Sequence, residues 1–303
     1  MTKRVWAILA ATLASTIYGI NHTLAKGVMP DFILPKGFIL LRVLGAAVLF
    51  WGISFFVKSE KIDRKDWPRI ILCTVCGMVI NMVFFFEGLN LSTPINSSVI
   101  ITLSPIVLFV LSAIFIREKI TIQKSVGAFI GLLGALFLVF FTVSSSTNAP
   151  NIPLGNLFFI INVIAYSIYL ITVRPLTAKY SSITLMKWFF LLAVLINLPI
   201  GLQEFRDVTW SGLPVDALWQ MGFVVVGTTF MTYLLNIYAL KELSASTLGV
   251  FIYLQPVLGI AYAILVGADE LDFIKILSML LVFVGVYVVS VKPSRKRAKC
   301  EAP

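Results

Sequence analysis

Long apolar runs separated by short polar breaks make up almost the whole sequence. A run of about 18 or more residues with few charges is long enough to cross the hydrocarbon core of a bilayer as one α-helix. The pattern therefore predicts an all-α, polytopic membrane protein with ten transmembrane helices. The predicted spans are 4–27, 33–57, 68–90, 94–116, 123–143, 153–173, 181–202, 216–240, 244–266 and 272–291.

The polar breaks are too short to hold an extramembrane domain, since the longest cover 58–69, 144–153 and 203–216. The first run follows a basic start, as in a signal peptide, but it continues through Tyr18 and Ile20, so we expect an uncleaved first span. The composition agrees with this organisation. Of the 303 residues, 59% are hydrophobic and 13% are charged, which is more apolar surface than a soluble domain of this length buries.

The net charge of +10 reflects the placement of basic residues in loops rather than a nucleic-acid-binding surface. Of the 24 Lys and Arg residues, 18 fall on the side of the N-terminus and 4 on the other side, while Arg42 and Lys187 lie within spans. An excess of Lys and Arg marks cytoplasmic loops. We therefore expect a multi-pass protein of the cytoplasmic (inner) membrane, with both termini cytoplasmic and no nucleic-acid partner.

The chain nearly repeats itself at an offset of 151 residues. The segment "NSSVIITLSPIVLFVLSAIFIREK" (96–119) matches "TLGVFIYLQPVLGIAYAILVGADE" (247–270), and the match places Pro105 on Pro256. Because each half has five spans, the second half must run upside down relative to the first. Inverted repeats are typical of transporters whose binding site lies near the midplane between the halves. The two repeats are expected at 1–145 and 146–303.

Pro105 and Pro256 each lie inside an apolar run. A mid-helix proline frees a carbonyl one turn back and bends the helix. Such breaks are tolerated at membrane depth where they face protein or a wet cavity. The sequence therefore predicts one bent or broken helix in each repeat, which is either a static packing kink or a moving hinge.

Two segments carry a short turn, an apolar helix with a central proline and a last glycine-bearing helix. They are "EGLNLSTPINSSVIITLSPIVLFVLSAIFIREKITIQKSVGAFIGLLGALFLV" (87–139) and "YALKELSASTLGVFIYLQPVLGIAYAILVGADELDFIKILSMLLVFVGVYVV" (238–289). Together with "STIYGINHTLAKGVMP" (15–30) and "LLRVLGAAVLF" (40–50), they resemble the EamA family of the drug/metabolite transporter superfamily over essentially the whole chain. The resemblance implies a cavity lined mostly by helices 1, 3, 4, 6, 8 and 9. It also implies secondary transport of small metabolites, often export of amino acids or related compounds.

Polar side chains within the spans are candidates for such a cavity, because an unpaired polar group in lipid is unfavourable. Tyr and Asn without a fixed charge suit a zwitterion or a neutral polar compound. Packing or interface anchoring is the alternative role for any single tyrosine, and a structural hydrogen bond is the alternative for His22, the only histidine. The candidate substrate-binding residues are Tyr18, Asn21, His22, Asn81, Ser104, Tyr166, Tyr169, Asn236, Tyr253 and Gln255.

Glu87, Arg42, Pro105 and Pro256 are the candidates for coupling or gating. Glu87 and Arg42 lie at similar depth in neighbouring predicted spans, so two interpretations of the carboxylate stay open. An Arg42–Glu87 ion pair would keep Glu87 charged, whereas burial without a partner would let Glu87 exchange protons near neutral pH.

The leading interpretation is a metabolite exporter driven by a proton or other gradient, acting by alternating access on a small-molecule substrate in the lipid bilayer. An importer or an uncoupled facilitator is the alternative, and a scaffold or sensor would fit better with a soluble output domain. An enzyme would need converging ionisable groups or metal ligands. We expect no cofactor and no metal, and no phosphate-binding glycine loop points to ATP.

Small residues within the spans are interpreted as packing surfaces. Cys73 and Cys76 lie in one apolar run and argue against a disulfide framework. Gly127, Gly131 and Gly134 recur at helical spacing, which lets helices approach closely in lipid. We expect this contact between the two repeats rather than between two chains, which favours a monomer.

Overall fold

The computed structural model describes residues 2–57, 60–92, 97, 100–117, 121–142, 150–265 and 273–291. Within these ranges every regular element is helical, as the apolar runs predict. Ten helices, α1 to α10 in chain order, form one bundle. Because successive helices alternate in direction, Lys3 and Ser290 lie on the same side of the bundle, which we call the terminal face. The other side is called the opposite face.

Six of the helices are continuous. They are α1 (Lys3–Val28), α2 (Pro35–Ser54), α5 (Ile122–Thr142), α6 (Ile152–Thr177), α7 (Ser182–Arg206) and α10 (Phe273–Ser290). The other four change helical form along their length or are described in part. These are α3 (Trp67–Thr74, Val75–Ile80 and Asn81–Leu91), α4 (Ser104–Phe115), α8 (Val215–Phe223, Val224–Met231 and Thr232–Leu240) and α9 (Ala245–Val250, Phe251–Tyr253 and Leu254–Leu265).

Most helix bounds fall within a few residues of the predicted spans. Three differ: α6 continues to Thr177, α7 continues to Arg206, and the described helix of α4 begins at Ser104. By length and composition, five helices in the described ranges are apolar enough to cross a membrane. They are Pro35–Ser54, Arg64–Leu91, Ile152–Thr177, Ser182–Arg206 and Val215–Leu240. Shorter apolar helices occur at Ser104–Phe115, Ile122–Gly134, Ala245–Leu258 and Ile276–Val289.

The two repeats cap each other through α2 and α7. Glu204, near the end of α7, accepts hydrogen bonds from the backbone N–H groups of Lys36 (2.7 Å) and Gly37 (3.0 Å) at the start of α2. Glu60, which follows α2, accepts one from the N–H of Ser181 (2.6 Å) at the start of α7. Helix N-termini leave N–H groups unsatisfied and favour negative charge. The two carboxylates therefore secure the second helix of each repeat at opposite faces of the bundle.

A second contact on the terminal face joins the α6–α7 connection to the start of α3. The Asp66 carboxylate accepts from Lys179 Nζ at 2.9 Å and from the Tyr180 hydroxyl at 2.8 Å. The hydrogen bond to Asp66 raises the pKa of Lys179. Because α3 belongs to one repeat and α6 and α7 to the other, this cluster also crosses between the repeats.

Glycines bring α5 and α10 into close contact, as their spacing predicts. A Cβ on Gly285 of α10 would lie 2.6 Å from the carbonyl oxygen of Gly127 in α5. A Cβ on Gly134 would lie 2.7 Å from the carbonyl oxygen of Ser278. The helices can approach this closely only because side chains are absent at these positions. The contact joins the last helix of one repeat to the last helix of the other.

The helices that carry the paired prolines are broken at matching places, which confirms the expectation of one broken helix per repeat. Pro105 is the second residue of α4, after a turn at Thr102–Leu103. Pro256 is the third residue of the last part of α9, after the 3₁₀ turn Phe251–Tyr253. Proline fits the first turn of a helix because its missing N–H is not needed there. A hinge role for these breaks stays a prediction.

Candidate functional site

A cavity lies midway through the bundle, between the two repeats. It holds about 690 Å³ of space not filled by atoms, counting any part open to solvent. The first repeat contributes through α1 to α3 and the α4 region, and the second through α6, α8 and α9. The lining residues are Tyr18, Asn21, Arg42, Asn81, Met82, Phe85, Phe86, Ile101, Ser104, Asn162, Val163, Tyr166, Thr228, Tyr233, Ile252 and Gln255.

Two of the helices that line this cavity contain wider π-helical turns. They occur at Val75–Ile80 in α3 and Val224–Met231 in α8, which are the third helices of the two repeats. Such turns leave carbonyls without their usual partner in the helix and are frequent at functional sites. The carbonyl of Gly77, in the first of these segments, accepts a hydrogen bond from the Tyr233 hydroxyl of α8 at 2.9 Å. The bond therefore joins the π-helical segment of α3 to the following α-helical part of α8, across the repeats.

Amide side chains bridge helices along the wall of the cavity. Asn162 of α6 donates to the carbonyl of Asn81 in α3, with a nitrogen–oxygen distance of 2.7 Å. Asn21 of α1 accepts from the hydroxyl of Thr228 in α8 at 2.9 Å. Both bonds join helices of different repeats. They satisfy polar groups within the membrane-spanning part of the bundle, and they leave other donors and acceptors for a ligand.

Arg42 brings a positive charge to the cavity. Its Nε donates to Thr229 Oγ1 at 2.9 Å, and its guanidinium carbon lies 5.0 Å from the centroid of the Phe86 ring. Thr229 in turn donates to the carbonyl of Val224 at 2.8 Å, so its oxygen is held in place to accept from the arginine. The π-helical turn of α8 thereby fixes the orientation of the guanidinium group.

A smaller cavity lies toward the terminal face. Four residues line both spaces: Tyr18, Tyr166, Ile252 and Gln255. Beyond them, Asn236 of α8 donates to the Tyr166 hydroxyl at 3.2 Å. Ser15 of α1 donates to the carbonyl of Phe251 in α9 at 2.9 Å. These contacts form a constriction that separates the central cavity from the terminal face.

The structure brings most of the predicted polar residues together. Six line the central cavity: Tyr18, Asn21, Asn81, Ser104, Tyr166 and Gln255. Asn236 lines the smaller cavity. The backbone of His22 belongs to α1, but its side chain lies outside the described part of the structure.

Tyr169 and Tyr253 are placed differently from the prediction. Both are fully buried in packed regions and line neither cavity, and their hydroxyl groups have no hydrogen-bond partner among the described residues. The Tyr169 ring fills the space that Gly77 leaves beside α3, and the Tyr253 ring packs against Gly131 of α5. Glycines on neighbouring helices, rather than a ligand site, account for these two large side chains.

Glu87 pairs with Lys36 instead of Arg42. Its carboxylate lies 3.4 Å from Lys36 Nζ, and the side chains of Lys36 and Glu87 are 40% and 21% exposed. In the described residues no carboxylate lies within ion-pair distance of Arg42. Of the two interpretations of Glu87, the one that pairs it with Arg42 is therefore wrong in this conformation. Lys36, at the start of α2, is closer to the membrane surface and meets Glu87 near the end of α3.

Several residues of the site were missed by sequence reasoning. Thr228 and Thr229 hold Asn21 and Arg42, and Phe85 and Phe86 form the apolar side of the cavity. The two threonines stand adjacent in an apolar span, which was the available signal. Their role depends on the π-helical turn, which side-chain periodicity does not reveal.

A membrane-embedded helical bundle with a polar cavity between two inverted repeats is typical of membrane transporters. The sequence profile of the EamA-like transporter family matches residues 5–140 and 153–291. The chain therefore belongs to the EamA-like transporter family, and it is a multi-pass membrane transporter.

Similar proteins agree with this assignment. An uncharacterized transporter from Archaeoglobus fulgidus is 29% identical over 284 residues, covering 94% of this chain and 98% of the relative. A WAT1-related protein from Arabidopsis thaliana is 21% identical over 264 residues, covering 78% of this chain and 76% of the relative. A crystal structure with 18% sequence identity covers 93% of this chain and 95% of its own, with a TM-score of 0.76. This last likeness concerns the fold alone.

Proposed function

We propose that this transporter exports an amino acid or a related compound by alternating access, with the central cavity as its substrate site. The observation that carries the proposal is the polar cavity at mid-depth, walled by helices of both repeats. A small polar molecule there would contact Asn and Tyr side chains from both halves. Relative movement of the repeats would then change the side from which the cavity is reached.

An importer or an uncoupled facilitator is the competing proposal, because the same cavity would serve either direction. The constriction between the central cavity and the terminal face favours a gated pathway over an open facilitator. A continuous pore would lack the hydrogen bonds that Ser15 and Asn236 make on the terminal side of the cavity.

A proton gradient is the proposed energy source. Glu87 is the carboxylate that the sequence offers for this role, but it does not line the cavity and it is paired with Lys36. Its position therefore favours a role in joining α2 and α3 over a role in carrying protons. We place the chain in the cytoplasmic membrane with the terminal face toward the cytoplasm.

Counterflow in proteoliposomes tests the proposed function. Vesicles are loaded with one unlabelled L-amino acid at a time and diluted into buffer that contains a trace of the same amino acid in labelled form. Accumulation of the label inside the vesicles is compared with that in protein-free vesicles. We expect accumulation for at least one amino acid and its faster export from vesicles with an imposed pH gradient. If no member of the complete panel is exchanged, the amino acid assignment is wrong.

A further inference from the structure

Arg42 is a buried cation at the cavity wall, and no carboxylate of the described residues lies within ion-pair distance of it. It lies seven residues after Pro35, about 10 Å along α2 from the opposite face by helical rise. The residue is 5% exposed. Among the lining residues that the structure describes, it is the only one with a fixed charge. A charge at membrane depth is unfavourable unless it meets a partner or lines a polar cavity, and such residues mark substrate or ion pathways.

The hydrogen bonds of Arg42 leave most of its donors free for a ligand. A guanidinium group has five N–H donors, and Nε uses one on Thr229 at 2.9 Å. Arg42 makes no other hydrogen bond within the described residues, and its terminal nitrogens are not among the buried atoms that lack partners. These nitrogens therefore retain accessible surface at the cavity.

The surroundings of Arg42 hold it in one orientation. Thr229 fixes the Nε edge, and the Phe86 ring lies 5.0 Å from the guanidinium carbon. The edge with the two terminal nitrogens is the one that matches a carboxylate, since a planar guanidinium binds two oxygens side by side. A group fixed in advance loses little entropy when the ligand binds.

We propose that Arg42 is the anion anchor of the cavity and binds the carboxylate of the transported compound. This inference rests on the proposed function and narrows the substrate class to small carboxylates and zwitterions. The other polar lining residues, which include Asn81, Asn162 and Tyr166, are uncharged and would hold the rest of the molecule. Cationic compounds without a carboxylate are excluded, because they would face an unneutralised arginine.

Pairs of compounds that differ only in the carboxylate test this proposal. Purified protein is assayed for thermal stabilisation and counterflow with each L-amino acid and with its carboxamide, which keeps the shape and removes the negative charge. We expect at least one acid to bind while its amide does not. Binding of acids and amides with equal affinity would overturn the anchor, even though the transporter itself would still be active.

Three single variants test whether Arg42 is the residue that binds the carboxylate. Arg42→Gln should weaken binding of the acid by at least about thirtyfold, as loss of one partner of a buried charge pair does. Arg42→Lys keeps the charge but not the paired donors, so its affinity for the acid should fall between those of the wild type and Arg42→Gln. Arg69→Gln, an exposed arginine outside the cavity, should bind as the wild type does.

The outcomes separate this proposal from the proposed function. If Arg42→Gln lowers the unfolding temperature but keeps the preference for acid over amide, Arg42 is structural and the anchor is wrong. If the variant does not fold, the affinities of the wild type for the acid and for its amide decide whether a carboxylate anchor exists. If no acid binds to or is exchanged by the wild type, the proposed function fails, and the anchor fails with it.

Discussion

Tyr166 and Tyr169 show how far sequence reasoning reaches at the scale of single residues. They lie three positions apart on α6, and the sequence made both of them candidates for substrate binding. In the structure Tyr166 lines both cavities, whereas Tyr169 is fully buried beside Gly77. A difference of about 60° around the helix separates the two directions. The packing partner, a glycine on another helix, could not be inferred from the spacing.

Glu87→Gln tests the role of the one carboxylate considered for coupling. Because the Lys36–Glu87 pair is partly exposed, we expect the substitution to change the free energy of unfolding by no more than about 1 kcal/mol. Transport driven by a pH gradient should persist, because the variant keeps the shape of the side chain and the cavity lining. The measurement is uphill accumulation in proteoliposomes with an imposed gradient.

Lys36→Gln is the matched control, since it breaks the same ion pair and leaves Glu87 in place. Both variants should behave alike if pairing is the role of Glu87. Loss of uphill transport in Glu87→Gln alone, with downhill exchange preserved, would instead make Glu87 the proton carrier.

Irregular helices define the site at the scale of elements. Prolines in matching positions predicted the breaks in α4 and α9, because proline cannot continue a helix through its missing N–H. No residue type predicts the π-helical turns in α3 and α8, since these turns consist of ordinary apolar residues, glycine and threonine. The breaks were therefore predictable and the π-helical turns were not.

Pro105→Ala tests whether the break in α4 moves during transport. Alanine restores an N–H group and lets the helix extend back through the turn at Thr102–Leu103. We expect the protein to fold and its turnover to fall about tenfold, which corresponds to about 1.4 kcal/mol on the barrier. Pro256→Ala should act in the same way. The measurement is the initial rate of counterflow.

Pro199→Ala serves as the control, because Pro199 lies inside the continuous helix α7 and outside the cavity lining. Its turnover should match the wild type. Unchanged turnover in Pro105→Ala and Pro256→Ala would make both breaks static features of packing.

The whole molecule is organised by the relation between the repeats. The internal sequence match predicted inverted halves, and the reciprocal caps of α2 by Glu204 and of α7 by Glu60 agree with it. Which ion pairs form at the faces was not predictable. The choice of Lys36 over Arg42 as the partner of Glu87 depends on the tilt and rotation of neighbouring helices, which tertiary packing sets.

Reporter fusions test the orientation that the loop charges predict. A phosphatase that is active only outside the cytoplasm should be inactive when fused after Pro303. The same reporter placed after Gly212, in the α7–α8 connection on the opposite face, should be active. Activity at Pro303 with inactivity at Gly212 would reverse the orientation.

The central claim is that the cavity between the repeats is the transport pathway, and thiol labelling tests it most directly. Tyr166→Cys and Tyr169→Cys are made in a background in which Cys73, Cys76 and Cys300 are replaced by Ala. The measured quantity is the rate of modification by a small charged methanethiosulfonate reagent, with and without an amino acid that the protein exchanges.

We predict that Cys at 166 reacts at least roughly tenfold faster than Cys at 169, because close packing excludes the reagent from the interior. The exchanged amino acid should slow the reaction at 166 and leave that at 169 unchanged. Equal rates at the two positions, or no protection at 166, would contradict the account.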